Sequence, residues 1–184
     1  MKNYLLLILL FTFAPFHSSA ADIYGGLGYS YGILSAESDF WNGGDDGTPS
    51  MTIGVHFERL AVELTYKPYT LNNIHTTSRG TYDIDISTLL LTVGGRYDLG
   101  DYTHVNFGLA SYSVEVDYTT TAATALNSSS IEGSSLGIFI GGGVHLYLYT
   151  RDLRLTFDVN YYHRSMDFGI FGFETGIFYS FYSF

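Results

Sequence analysis

Three residues in the last quarter of the chain could activate a hydroxyl nucleophile. His163 and Ser165 are two positions apart, and Glu174 follows a short way downstream. A histidine can act as general base for a serine while a carboxylate orients its ring, which is the chemistry of acyl transfer. If the segment is a strand, His163 and Ser165 share its outward face. Glu174 has the alternation parity of Phe184 and is expected to face outward on the neighbouring strand. One alternative is therefore an enzyme with His163 as base, Ser165 as nucleophile and Glu174 as orienter. The other is that these are simply polar residues at a membrane interface.

A second set of ionisable residues alternates with apolar neighbours and should share one face: His56, Glu63, Lys67, Arg96, His145, Arg154 and Asp158. Both signs of charge are present, so we expect these side chains to pair inside the fold as a polar plug. A gated ion path, that is, a small low-conductance pore, is the alternative. Neither short ligand spacing nor an inward cluster of carboxylates accompanies the two histidines, so we expect no metal and no cofactor.

The elements that must position these residues are strands of alternating hydrophobicity. Met51 to Phe57 and Leu60 to Tyr66 both alternate with period two around the tight polar turn Glu58–Arg59, which predicts a hairpin. The same pattern recurs around turns at 98–101 and 150–152. With an opening strand from Asp22 to Leu34 and a closing strand ending at Phe184, the pattern predicts eight strands.

Composition limits where such strands can lie. Charged residues make up 14% of the chain, with 21 Gly and 17 Tyr, whereas soluble surfaces usually carry about 25–35% charge. No stretch after residue 21 has the roughly 18 apolar residues of a membrane helix. A chain that spans lipid with strands must close into a barrel. We therefore predict an all-β, eight-stranded antiparallel up-and-down transmembrane β-barrel. The formal net charge of −10 argues against nucleic-acid binding.

The two ends of the chain suggest export and barrel closure. Residues 1–20 have a charged start, an apolar run and small residues before a cut, which predicts a signal peptide, with the barrel over 21–184. The segment from Phe173 to Phe184 is rich in aromatics, as suits a strand at a bilayer interface. Cysteine is absent from the sequence, which excludes disulfides.

Several segments together resemble the small eight-stranded outer-membrane barrels of the OmpA transmembrane domain, OmpX and Opa class. They are IYGGLGYSYG, GVHFERLAVELTY, GGRYDLGDYTHVNFGLASY and the terminal Phe184. The resemblance implies an outer-membrane location, contact with lipid and lipopolysaccharide, and a monomer. It also implies that Tyr182 and Phe184 are read by the outer-membrane assembly machinery.

The residues considered first also resemble a more specific group within this fold. A His-x-Ser near the end of strand seven and a Glu in the last strand are similar to the lipid A deacylase PagL family, which implies the roles given above for His163, Ser165 and Glu174. That family usually has Asn after the Ser, where this chain has Met166.

The longer connections are acidic. We expect them at about 35–49, 70–81, 119–134 and 164–167, carrying or flanked by Glu37, Asp39, Asp45, Asp46, Asp83, Asp85 and Glu132. The favoured interpretation is an integral outer-membrane barrel without catalysis. Its loops would serve adhesion to host or surface ligands, envelope stabilisation or lipopolysaccharide contact.

Overall fold

The computed structural model describes residues 21–36, 45–77, 80–122, 125–165 and 168–183. The expected signal peptide and Phe184 lie outside these ranges. The described residues form eight strands: β1 Ala21–Ala36, β2 Asp45–Phe57, β3 Leu60–Thr77, β4 Gly80–Asp98, β5 Thr103–Ala122, β6 Ala125–Tyr147, β7 Leu153–Ser165 and β8 Phe168–Ser183. Among these residues, no helix is long and apolar enough to cross a membrane.

The strands form one closed antiparallel barrel in chain order, and β1 pairs with β8 to complete it. This confirms the predicted fold class. The three turns predicted at 58–59, 98–101 and 150–152 lie at one end of the barrel, which we call the turn end. The opposite end, where strands 1 and 2, 3 and 4, 5 and 6, and 7 and 8 are joined, is called the loop end.

The outer surface of the barrel is apolar, because alternate residues of every strand point away from the interior. Large exposed side chains from all eight strands form this band, among them Leu27, Met51, Ile53, Leu64, Leu91, Val93, Leu109, Ile138, Ile140, Val159 and Ile177. Exposed aromatic residues gather at the turn end: Tyr97, Tyr179, Phe181 and Tyr182 on the outer face, and Tyr102 and Tyr149 in the turns. An apolar band bordered by aromatics suits a bilayer and its interface.

The interior is polar and packed. Close approach of β6 to β7 requires glycine at position 143, where a Cβ would lie 2.2 Å from the carbonyl oxygen of Phe157 and 2.6 Å from Oδ1 of Asp158. A barrel of eight strands is just wide enough for side chains to fill it. The inward residues therefore form the core of this fold.

Several strands continue further than the sequence predicted. The expected loop at 119–134 lies almost entirely in β5 and β6, which pair up to Ala122 and Ala125. Similarly, β3 and β4 pair through most of the expected loop at 70–81. These segments are rich in Thr, Ser and Asn, so they lack hydrophobic contrast, but backbone pairing does not need it. Residues 83, 85 and 132 consequently lie in strands rather than in loops.

Two strands change phase along their length. In the β1–β8 pairing, Ile23 lies opposite Tyr182 while Tyr24 lies opposite Ser180, so Phe181 is an extra residue in β8. In the β7–β8 pairing, the register shifts between His163 and Ser165. Each extra residue reverses which face the following residues occupy, as a β-bulge does.

Candidate functional site

The structure places all seven residues of the proposed lumen set on the inner face of the barrel. Lys67, Arg96, His145 and Arg154 are buried, and the other three are half-buried. The members of the set belong to three networks, two side by side towards the turn end and one towards the loop end, and residues that the sequence analysis did not single out complete each of them.

The network nearest the turn end is built around Arg96. Its Nη1 donates to Oε1 of Glu63 at 3.2 Å, and its Nε donates to Oδ1 of Asp98, also at 3.2 Å. Nε2 of His56 lies 3.0 Å from the other oxygen of Asp98. The Tyr24 hydroxyl donates to Glu63. One buried guanidinium thus ties together side chains from β1, β2, β3 and β4.

Arg154 contacts aromatic rings rather than a carboxylate. Its guanidinium carbon lies 4.8 Å from the ring centre of Tyr24 and 5.1 Å from that of Phe178. Within the described part of the chain, Nε and Nη2 of Arg154 have no hydrogen-bond partner. Stacking on aromatic faces is a favourable environment for a guanidinium. The sequence-based prediction of an ion pair for Arg154 therefore becomes a cation–π arrangement among these residues.

A histidine pair lies beside this network. Nδ1 of His104 on β5 lies 3.1 Å from Nδ1 of His145 on β6. Nε2 of His104 lies 2.5 Å from Oδ1 of Asp158, which also accepts a hydrogen bond from the Asn106 amide at 2.8 Å. Asp98, His104 and His145 each offer a ligand atom within 4.8 Å of the others. Oxygen and imidazole donors of this kind are suited to zinc and similar divalent ions.

The network nearest the loop end centres on Lys67. Its Nζ donates to Oε1 of Glu174 at 2.6 Å and also to the Tyr162 hydroxyl. Tyr162 in turn donates to the same glutamate oxygen at 2.5 Å. Nearby, the hydroxyls of Ser30 and Tyr69 lie 2.5 Å apart. A charge pair and a buried phenol together close this level of the interior.

The networks leave little open space between them. The cavity among the inner side chains has a volume of about 50 Å³, and its lining includes Lys67, Arg96, His104, Asp158 and Glu174. Buried large side chains such as Tyr69, Leu90 and Ile170 occupy the interior towards the loop end. Between the networks, the described interior is therefore packed.

Glu174 is not where the hydrolase alternative needs it. That alternative set it on the outer face beside His163, whereas the structure holds its carboxylate inside the barrel against Lys67. His163 is on the outer side, with its ring centre 6.1 Å from that of Tyr161. The outward assignment of Glu174 was wrong because the parity was counted from the chain end. The extra residue Phe181 reverses the alternation between that end and Glu174.

The backbone also contradicts the prediction that His163 and Ser165 share one face of β7. The register of β7 shifts between His163 and Ser165, so these positions do not belong to one continuous alternation against β8. Met166 lies outside the described residues. The structure therefore does not bring the three residues together as a Ser–His–carboxylate set.

The acidic residues of the expected first loop are partly described. Asp45 and Asp46 begin β2 at the loop end, and Asp46 accepts a hydrogen bond from the Thr70 backbone N–H at 3.1 Å. The Tyr31 hydroxyl donates to Asp45. Glu37 and Asp39 lie outside the described residues, so their proposed role remains a prediction.

Sequence reasoning missed several residues of these networks, notably Tyr24, Asp98, His104, Asn106 and Tyr162. A signal for two of them was present: His104 and Asn106 alternate with Val105, Phe107 and Leu109, which follow the period of an outward face. Asp98 was assigned to a turn because it closes a strand. In sequence, a polar residue at the last inward position of a strand cannot be distinguished from a polar residue of the following turn.

Comparison with known proteins shows similarity in structure only. No protein-family model matches the chain, and no curated protein matches it in sequence. Among solved structures, Ail, the attachment invasion locus protein of Yersinia pestis, superposes with a TM-score of 0.58 at 13% identity, covering 90% of this chain and all (100%) of Ail. Neisserial surface protein A gives a TM-score of 0.53 at 13% identity, over 89% of this chain and 100% of that protein. This chain has the fold of these small outer-membrane barrels.

Proposed function

We propose that the protein is an integral outer-membrane barrel without a catalytic role, which presents its loop end outside the cell for contact with lipopolysaccharide or surface ligands. The observation that carries this proposal is the position of the Glu174 carboxylate. The carboxylate that a hydrolase would need on the outer face is paired inside with Lys67 and Tyr162. The described polar side chains of the interior mostly bind one another instead of lining an open site.

The outer surface and the long strands support the location. Strands of about 9–11 residues cross a bilayer, whereas β5 has 20 residues and β6 has 23. The excess lies at the loop end, because the turns at the other end are short. In outer-membrane barrels the short turns are periplasmic and the longer connections are extracellular. The paired extensions would therefore project from the cell surface.

Acidic groups at the loop end fit a contact bridged by divalent cations. Asp45 and Asp46 start β2 there, and lipopolysaccharide is rich in phosphate, which shares divalent ions with carboxylates. Ail carries attachment and invasion in its name. At 13% identity the likeness supports a common fold, so attachment enters this proposal as a function to be tested.

Two measurements test the proposal on the same cells. Lipid A mass spectrometry, with and without expression, should show no change in acyl-chain number. Binding of the cells to lipopolysaccharide-coated and host-derived surfaces should rise on expression and fall when the β5–β6 extension is shortened. Acyl-chain loss on expression would favour the deacylase instead. Surface binding that is unaffected by both expression and shortening would contradict the contact function.

A further inference from the structure

The two buried histidines inside the barrel lie at a nitrogen–nitrogen distance that suits a metal site. The Nδ1 atoms of His104 and His145 face each other at 3.1 Å. A tetrahedral zinc ion holds nitrogen ligands at about 2.0–2.1 Å, which places two such ligands roughly 3.3 Å apart. Both rings are buried, with 3% and 1% of the residue exposed. This contact is a hydrogen bond between the rings, and its length is close to the separation of two nitrogen ligands on one ion. A bound ion would replace the shared proton, which leaves Nδ1 of His145.

The second nitrogen of His104 is already oriented for this role. Its Nε2 lies 2.5 Å from the Asp158 carboxylate. An ionised carboxylate only accepts hydrogen bonds, so the neutral ring carries its proton on Nε2 and keeps the Nδ1 lone pair directed at His145. Metal-binding histidines commonly donate their second N–H to a carboxylate, which sets the tautomer and strengthens the ligand. Asn106 in turn holds Asp158 through its amide.

Asp98 offers the third ligand atom, an oxygen within 4.8 Å of a ring nitrogen of each histidine. Its oxygens contact Arg96 and His56, but each carboxylate oxygen can accept more than one partner. Backbone hydrogen bonds fix two of the three ligands at the turn end. The Asp98 N–H donates to the Arg59 carbonyl at 2.7 Å, and the His145 N–H donates to the Tyr102 carbonyl at 2.8 Å.

Charge and access also favour a cation. The carboxylates of Glu63, Asp98 and Asp158 outnumber the guanidiniums of Arg96 and Arg154 in the contacting networks at this end. With neutral histidines, a dication changes this local balance only from one negative to one positive charge. A cavity of about 480 Å³ at the turn end is lined by Asp98 and His145, among others. An ion entering there meets Asp98 and His145, two of the three proposed ligands.

We propose that Asp98, His104 and His145 bind a divalent first-row transition metal, with zinc the best match, and that Asp158 positions His104. The ligands come from β4, β5 and β6. A metal there ties three neighbouring strands together inside the turn end of the barrel. The site was invisible in sequence because it has no short ligand spacing; antiparallel pairing brings the residues together.

The test uses the mature barrel, without a polyhistidine tag, folded in detergent and checked by heat-modifiable migration. Titration with Zn²⁺ should reveal one saturable site. Titration with Co²⁺, as a spectroscopic probe, should give the visible absorption of a four-coordinate ion. His104→Gln and His145→Gln should abolish that absorption. Asp158→Asn should weaken binding by about 10- to 100-fold. His163→Gln, on the outer side, is the matched control and should bind like the wild type.

A second measurement covers variants that fold poorly. In the folded wild-type protein, Zn²⁺ should shift the ring NMR signals of His104 and His145 but leave those of His163 unchanged. Absence of saturable binding to the folded wild-type barrel would overturn the proposal. So would wild-type affinity in folded His104→Gln, or zinc-dependent shifts confined to other histidines.

Discussion

Lys67 on β3 and Glu174 on β8 meet across the inside of the barrel, where Nζ and Oε1 are 2.6 Å apart. Because β1 and β2 lie between their strands in the sheet, the pair bridges the lumen rather than joining neighbouring strands. Their side chains are 3% and 14% exposed, so both charges are shielded from bulk water. The contact fixes the facing of β8 and explains why Glu174 is unavailable on the outer surface.

The first prediction concerns this pair. Glu174→Gln leaves the ammonium of Lys67 buried without its counter-charge, and breaking a buried pair in this way costs about 3–5 kcal/mol. We expect the free energy of unfolding, measured by urea titration of the barrel in lipid, to fall by an amount in this range. The double variant Lys67→Met with Glu174→Gln should recover most of the loss, because no unpaired charge remains. A double variant less stable than the single one would contradict the coupling.

The second prediction concerns conduction. Because the described interior is packed at several levels, the folded wild-type protein should give no large, steady single-channel current in planar bilayers. Tyr162→Ala removes a buried ring only near the loop end, so the Arg96 network should still block the lumen. Combining it with Arg96→Ala and Arg154→Ala should produce current. Steady current from the wild type would show that the plug interpretation is wrong.

The sequence was sufficient to predict the strands and turns but not every facing. Alternation of large apolar residues, as in Leu60 to Tyr66, identifies a strand and its outer face because lipid and lumen impose opposite preferences. The facing predicted for Glu174 was wrong because one extra residue, Phe181, reverses the alternation of β8. Such a bulge cannot be recognised in the sequence of an aromatic-rich segment. The extensions of β5 and β6 were not predicted for another reason: outside lipid, neither face of a strand needs to be apolar, so the alternation is lost.

The candidate site was only half predictable for a related reason. Alternation indicated that His145 and Asp158 face inward, but their partners depend on register across the barrel. His104 reaches Asp158 from β5 to β7, strands that are not neighbours in the sheet. Such contacts depend on the diameter of the closed barrel, which cannot be inferred from the alternation of residues within a single strand. The same holds for Lys67 and Glu174.

The third prediction concerns the close packing of β6 on β7. Gly143→Ala would place a Cβ 2.2 Å from the Phe157 carbonyl oxygen, and the backbone must move to relieve it. Overpacking of this kind costs about 1–3 kcal/mol, which urea unfolding should detect. Gly100→Ala is the matched control, since the nearest atom to its Cβ would be 3.8 Å away. Equal stability of the two variants would contradict the packing described for this pair of strands.

The fourth prediction concerns the extension of β5 and β6. Val116 lies opposite Ile131 in the pairing, so residues 117–130 can be replaced by an Asn-Gly turn while the register below is kept. The remaining part of β5, from Thr103 to Val116, still exceeds the roughly 9–11 residues needed to cross a bilayer. The shortened barrel should therefore insert and show the same heat-modifiable migration and unfolding midpoint as the full chain. As a control, removing about six residues from within 103–116 leaves too few to cross a bilayer and should abolish assembly. Loss of insertion in the first variant would mean that the extension belongs to the membrane-spanning core rather than to the exposed part of the protein.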